Sequence, residues 1–92
     1  MAELTRQQIR FFGRVQGVGF RYTCAQLAQQ AKLTGWVRNE AGGTVLAEFQ
    51  GMDSDIESVV QALNKDPYIR IDKIQRIVQP INKTERVFDV TY

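Results

Sequence analysis

An α+β chain, with two helices on one face of a largely antiparallel sheet, is the fold class this sequence predicts. Three observations predict it. Short runs alternate apolar and polar residues with the period of a strand. Two intervening stretches space their apolar residues as a helix does. A length of 92 residues supplies roughly one core's worth of apolar side chains and little more.

Ile9 and Phe11 alternate with Gln8 and Arg10, which reads as a short strand ending at Gly13. The period then changes. Phe20, Cys24, Leu27, Ala28 and Ala31 fall on one face of a helix whose outer face carries Gln26, Gln29, Gln30 and Lys32. "TGWVRN", Thr34 to Asn39, reads as a second strand, "EAGG" as a reversing loop, and Thr44 to Gln50 as a third strand with Val45, Ala47 and Phe49 on one side. The pair is a β-hairpin. Asp53, Ser54 and Asp55 open a second helix, where their oxygens are placed to cap free N–H groups and face the positive dipole end. Ile56, Val59, Val60 and Leu63 form its apolar stripe, and Pro67 lies past its end. Ile69 to Val78 reads as a fourth strand whose alternation slips between Ile71 and Ile74, as a bulge would cause. Phe88, Val90 and Tyr92 alternate in a short fifth strand. The order βαββαβ plus a C-terminal strand is the split βαβ, ferredoxin-like sandwich, predicted here as a single domain over residues 1–92.

Composition removes several function classes. A net charge of +2 with both signs interspersed gives no electrostatic case for nucleic acid or a membrane surface. Cys24 is the one cysteine, so no intramolecular disulfide is possible and a reducing compartment fits. It falls on the apolar helix face and reads as core. "MAELTRQQIR" lacks the apolar stretch of a secretory signal, and no segment approaches the length of a membrane span, so a cytoplasmic location is expected. Histidine is absent, which removes the commonest general base and metal ligand. Carboxylates alone would remain for a metal, so a zinc or iron site is not expected.

"GRVQGVGFR", Gly13 to Arg21, links the first strand to the first helix. Backbone N–H groups in such a turn have no helical partner, and with the helix dipole behind them they converge on an anion. Arg21 stands in the first helical turn, where the dipole disfavours a cation and an incoming negative charge would compensate it. The same residues also fit a tight turn whose glycines serve geometry alone, with an arginine that points to solvent. Known phosphate loops do not decide the matter. The Walker triplet and the dinucleotide pattern G-x-G-x-x-G are absent, and six residues after Cys24 stands Gln30 rather than the arginine of a cysteine phosphatase. "DSD" opens a helix instead of ending a strand. The third strand, "TVLAEFQG", lacks the alternating aromatics of an RNA-recognition motif, and the first loop lacks the paired cysteines of a metal chaperone. Asn39 at a strand end is, taken alone, ordinary turn chemistry.

Together the quoted stretches resemble the acylphosphatase family: "GRVQGVGFR", "GWVRN", "GTV" at Gly43 to Val45, "QG" at Gln50 and Gly51, and the terminal "FDVTY", in family order over nearly the whole chain. The resemblance implies hydrolysis of acyl phosphates to carboxylate and inorganic phosphate, without metal or cofactor. It implies that Arg21 binds the phosphate, that Asn39 holds the attacking water, and that Gln16, Gly17, Val18, Gly19 and Phe20 form the backbone cradle. The expected partners are a small acyl phosphate and inorganic phosphate, the latter as product and inhibitor, and the expected state is a monomer. The alternatives are a non-catalytic anion-binding domain and a carbamoyl-phosphate-handling domain of the same fold. Three details are particular to this chain: Gly19 in place of a bulkier residue, Glu40 beside the asparagine as a charge able to repel phosphate, and Tyr92 in a place where some family members pair the terminal carboxylate with the arginine.

Overall fold

β1 (Leu4–Arg14) is longer at both ends than its apolar residues indicate, because it has a ladder on each side. The computed structural model describes residues 4–92. In the first half of β1, Thr5, Arg6, Gln7 and Gln8 are polar on both faces, so hydrophobic alternation cannot mark it. What holds this half in the sheet is Arg6, only 5% exposed, whose guanidinium pairs with Glu48 and Glu85 and donates to the Gln50 side chain. Burying a cation is tolerated only when its donors are satisfied, and here they are.

The chain continues through α1 (Phe20–Gln30), β2 (Thr34–Asn39), β3 (Val45–Met52), α2 (Asp53–Lys65), β4 (Arg70–Val78) and β5 (Phe88–Val90). The strands lie in the order β4-β1-β3-β2-β5, antiparallel except for the β2/β5 pair. This is the βαββαβ sandwich with a short added strand that the sequence predicts. The bulge is also where the slip in alternation puts it. The ladder steps from Phe12↔Lys73 to Gly13↔Ile71 and leaves Asp72 over.

The core lies between the sheet and the two helices. Ile9, Phe11, Val37, Val45, Ala47, Phe49 and Phe88 meet Phe20, Cys24, Ala28, Ile56, Val59 and Leu63, all buried. Phe11 and Phe20 rings stand 4.9 Å apart, joining the end of β1 to the start of α1. The buried face of α1 is turned slightly from the predicted stripe: Ala25 is buried, while Leu27 and Ala31 sit at the margin.

The predicted capping of α2 is not found. β3 runs into α2 with no residue between them, so Asp53 is already helical and the capping position falls to Met52, with no side-chain cap. The Asp53 carboxylate instead accepts from Thr5 Oγ1 at 2.8 Å and Gln7 Nε2 at 2.9 Å, tying the helix start to β1. Asp53 and Asp55 do remain in the first turn, where the dipole favours them.

Gly35 opens the central part of β2 with φ of 140°, and a Cβ there would run into the Glu48 carbonyl oxygen across the ladder. Gly35→Ala is therefore expected to destabilise the fold by about 2–3 kcal/mol through strain and overpacking. A lowered urea midpoint at unchanged slope is the expected reading.

Candidate active site

The split βαβ topology brings two distant parts of the sequence to one end of the sheet. Phe11 of β1 and Asn39 of β2 pair with the same residue, Val45 of β3, from opposite sides. The loop that follows β1 therefore rises beside Asn39. Val15, 1% exposed, anchors the beginning of that loop in the core, and Phe20, 2% exposed, anchors its end.

Between these anchors Gly17 and Gly19 have φ of 74° and 80°, and a Cβ on either would meet open space. The need for glycine is thus conformational rather than steric within the protein. Left-handed turns at both positions leave the backbone N–H groups from Gln16 to Tyr22 without an acceptor among the described residues; the first to bond back is Thr23, to the Gly19 carbonyl at 3.1 Å. No acidic residue stands in the first turn of α1 to use these donors. Such a run, at the positive end of a helix, forms a nest with the geometry that suits an anion.

Arg21, Asn39, Gly17, Gly19 and Phe20 line one pocket of about 120 Å³, together with Val15 and Tyr22. The structure thus brings five of the residues singled out from sequence around one space. Gln16 and Val18 are not on its lining. The Gln16 side chain donates to the Glu40 and Thr44 carbonyls, both at 2.8 Å, and fastens the loop to the β2–β3 turn. Val18 packs against the margin of the core. For these two, only the backbone N–H can serve a ligand. Other grooves are larger, such as one of about 270 Å³ between α2 and β4, which the open N–H run does not line.

The Arg21 guanidinium makes a long 3.5 Å contact to the Thr91 carbonyl and lies 4.7 Å from the centre of the Tyr92 ring. These are a dipole and a π face, not the terminal carboxylate considered for this position; no carboxylate of the described residues forms an ion pair with Arg21. Its full charge therefore remains available to an anion.

Glu40 does not act as a bare negative charge. Arg10 grips it with two hydrogen bonds, at 2.7 and 3.0 Å, and the Thr44 hydroxyl adds a third at 2.8 Å. Arg10 above all holds its carboxyl down at about 2. Cys24 is wholly buried, and burial pushes its thiol far up, so it is no nucleophile. Among the described residues no cluster of acidic or sulfur ligands could hold a metal ion, and no helix is long and apolar enough to cross a membrane.

Val15 and Tyr22 are the lining residues not singled out from the sequence. For Tyr22 the neighbouring Arg21 was the available signal, but an aromatic on the outer face of a helix has no reason of its own to be noticed.

A sequence model of the acylphosphatase family matches residues 7–90. The chain belongs to the acylphosphatase family. It is similar to an acylphosphatase of Leuconostoc mesenteroides, 39% identical, with 84% of this chain and 88% of that protein aligned. The crystal structure of acylphosphatase from Bacillus subtilis superposes with a TM-score of 0.87 at 32% identity, covering 98% of this chain and all of that one. Full-length HypF in a phosphate- and nucleotide-bound form is equally similar, with a TM-score of 0.87, but the match spans 12% of its length. This acylphosphatase is an enzyme that hydrolyses the carboxyl–phosphate bond of acyl phosphates to carboxylate and inorganic phosphate. The carbamoyl-phosphate and non-catalytic alternatives are not favoured.

The Arg10–Glu40 pair yields a pH prediction for the acylphosphatase. Because folding lowers the Glu40 pKa from 4.5 to about 2, its stabilisation is complete above 4.5 and is lost as pH falls through 2. Glu40→Gln should lower Tm at neutral pH, and the gap to the parent protein should close across that acid window in thermal melts.

Proposed function

We propose that the nest and Arg21 bind the phosphoryl group and that Asn39 directs the attacking water. The observation that carries this reading is the single small pocket lined by Gly17, Gly19, Arg21 and Asn39. Its volume, on the order of four water molecules, suits a phosphoryl group with a water beside it.

The N–H groups from Gln16 to Arg21 and the guanidinium of Arg21 face the phosphoryl oxygens, where charge is spread in the transition state. Arg21 suits this work because its planar fork gives two parallel hydrogen bonds and stays ionised. Water oxygen attacks phosphorus, the bond from phosphorus to the acyl oxygen breaks, and the electron pair leaves on the carboxylate. The water's proton passes to the phosphate product or to solvent. A carboxylate leaving group, with a conjugate acid near pKa ~4–5, needs no general acid. A carboxamide cannot remove a proton at neutral pH, so Asn39 acts by fixing the direction of approach. The step requires neither metal nor cofactor.

The chain acts as a single domain over residues 1–92, which one contiguous core cluster supports. It works as a cytoplasmic monomer, consistent with a site built from one chain, and its product phosphate competes for the nest.

Asn39→Ala is expected to lower kcat for benzoyl phosphate by about 10²-fold, the scale of one oriented contact in the transition state, with phosphate inhibition little changed. Arg21→Gln should abolish both turnover and phosphate inhibition. Assays in chelator test the metal-free step, and an Asn39→Ala variant with near-normal kcat would remove that residue from the mechanism.

A further inference from the structure

Resting on that reading of the pocket, we propose that Tyr22 selects the acyl group and favours acyl phosphates whose acyl part is aromatic. The phosphoryl site is closed below by Val15 and Phe20, both buried, and bounded by Gly17 and Gly19, which have no side chains to offer. Arg21 and Asn39 are polar. A pocket of about 120 Å³ filled by phosphate and water leaves no room for an acyl chain, which must cross the rim. Tyr22 is the one large exposed side chain with an apolar surface on the lining, at 60% exposure.

Its ring is held rather than free. The Tyr22 hydroxyl shares a 2.7 Å hydrogen bond with the Tyr92 hydroxyl, and the Arg21 guanidinium lies 6.0 Å from the Tyr22 ring centre and 4.7 Å from that of Tyr92. The two rings and the cation form one unit at the mouth of the pocket. An oriented aromatic face loses little side-chain entropy when a second ring covers it, and offset or edge-on packing adds to the area buried. A short aliphatic acyl group, such as acetyl, is too small to cover that face.

The test is the ratio of kcat/KM for benzoyl phosphate to that for acetyl phosphate in the parent enzyme, Tyr22→Phe and Tyr22→Ala. The ratio should fall roughly threefold to tenfold in Tyr22→Ala, the scale of one lost aromatic contact. Inhibition by inorganic phosphate should persist in Tyr22→Ala, because the substitution keeps the backbone N–H groups and the Arg21 guanidinium. Tyr22→Phe, which keeps the ring but loses the hydroxyl bond to Tyr92, should give a ratio between those of the parent and Tyr22→Ala. An equal loss on both substrates, or an unchanged ratio in Tyr22→Ala, overturns the assignment. Loss of phosphate inhibition in Tyr22→Ala also overturns it, because Tyr22 would then act through Arg21. Failure of the underlying site reading shows separately, as an Arg21→Gln variant that keeps its phosphate inhibition.

Discussion

A run of backbone N–H groups from Gln16 to Tyr22 without protein acceptors is the constraint on which the rest of the site depends. Donors left open at the positive end of a helix raise the local potential, and Arg21 raises it further. The protein tolerates this because the loop is fastened at both ends. Val15 and Phe20 are locked into the core, and the Gln16 amide bridges to the Glu40 and Thr44 carbonyls.

The same logic governs the β2–β3 turn. Glu40 lies next to Asn39, which lines the pocket, and a free carboxylate there would oppose an anion. Arg10, reaching from β1, cancels that charge and at the same time steadies the turn that Gln16 grips. The cation left open at the pocket and the cation that neutralises Glu40 are thus separate residues. Arg21 meets only a carbonyl and aromatic faces, while Arg10 is paired with Glu40.

Most of the fold was legible because its core-facing positions alternate cleanly. β2 was bounded correctly by "TGWVRN", and the β4 bulge showed as a slip in period. The first half of β1 was not legible, since its place in the sheet is held by the Arg6 network, and ion pairs between residues far apart leave no periodic trace. The α2 cap was misread for a related reason. Asp, Ser and Asp at a helix start look alike whether they precede it or lie inside it, and the absence of any loop after β3 decided between the two.

For the site, the residues themselves marked the glycine loop and Arg21 as fit for an anion, since glycine's backbone freedom and arginine's charge are properties of the residues, while Asn39 stood out only through the resemblance of "GWVRN" to the acylphosphatase family. Whether those parts form one site was settled by tertiary structure, through the common pairing of Phe11 and Asn39 with Val45. The same holds for the division of the loop into lining residues and the Gln16 tether, for the neutralising of Glu40, and for the placing of Tyr22 at the rim. Each depends on which groups meet across strands, and a linear sequence carries composition and period but not those meetings.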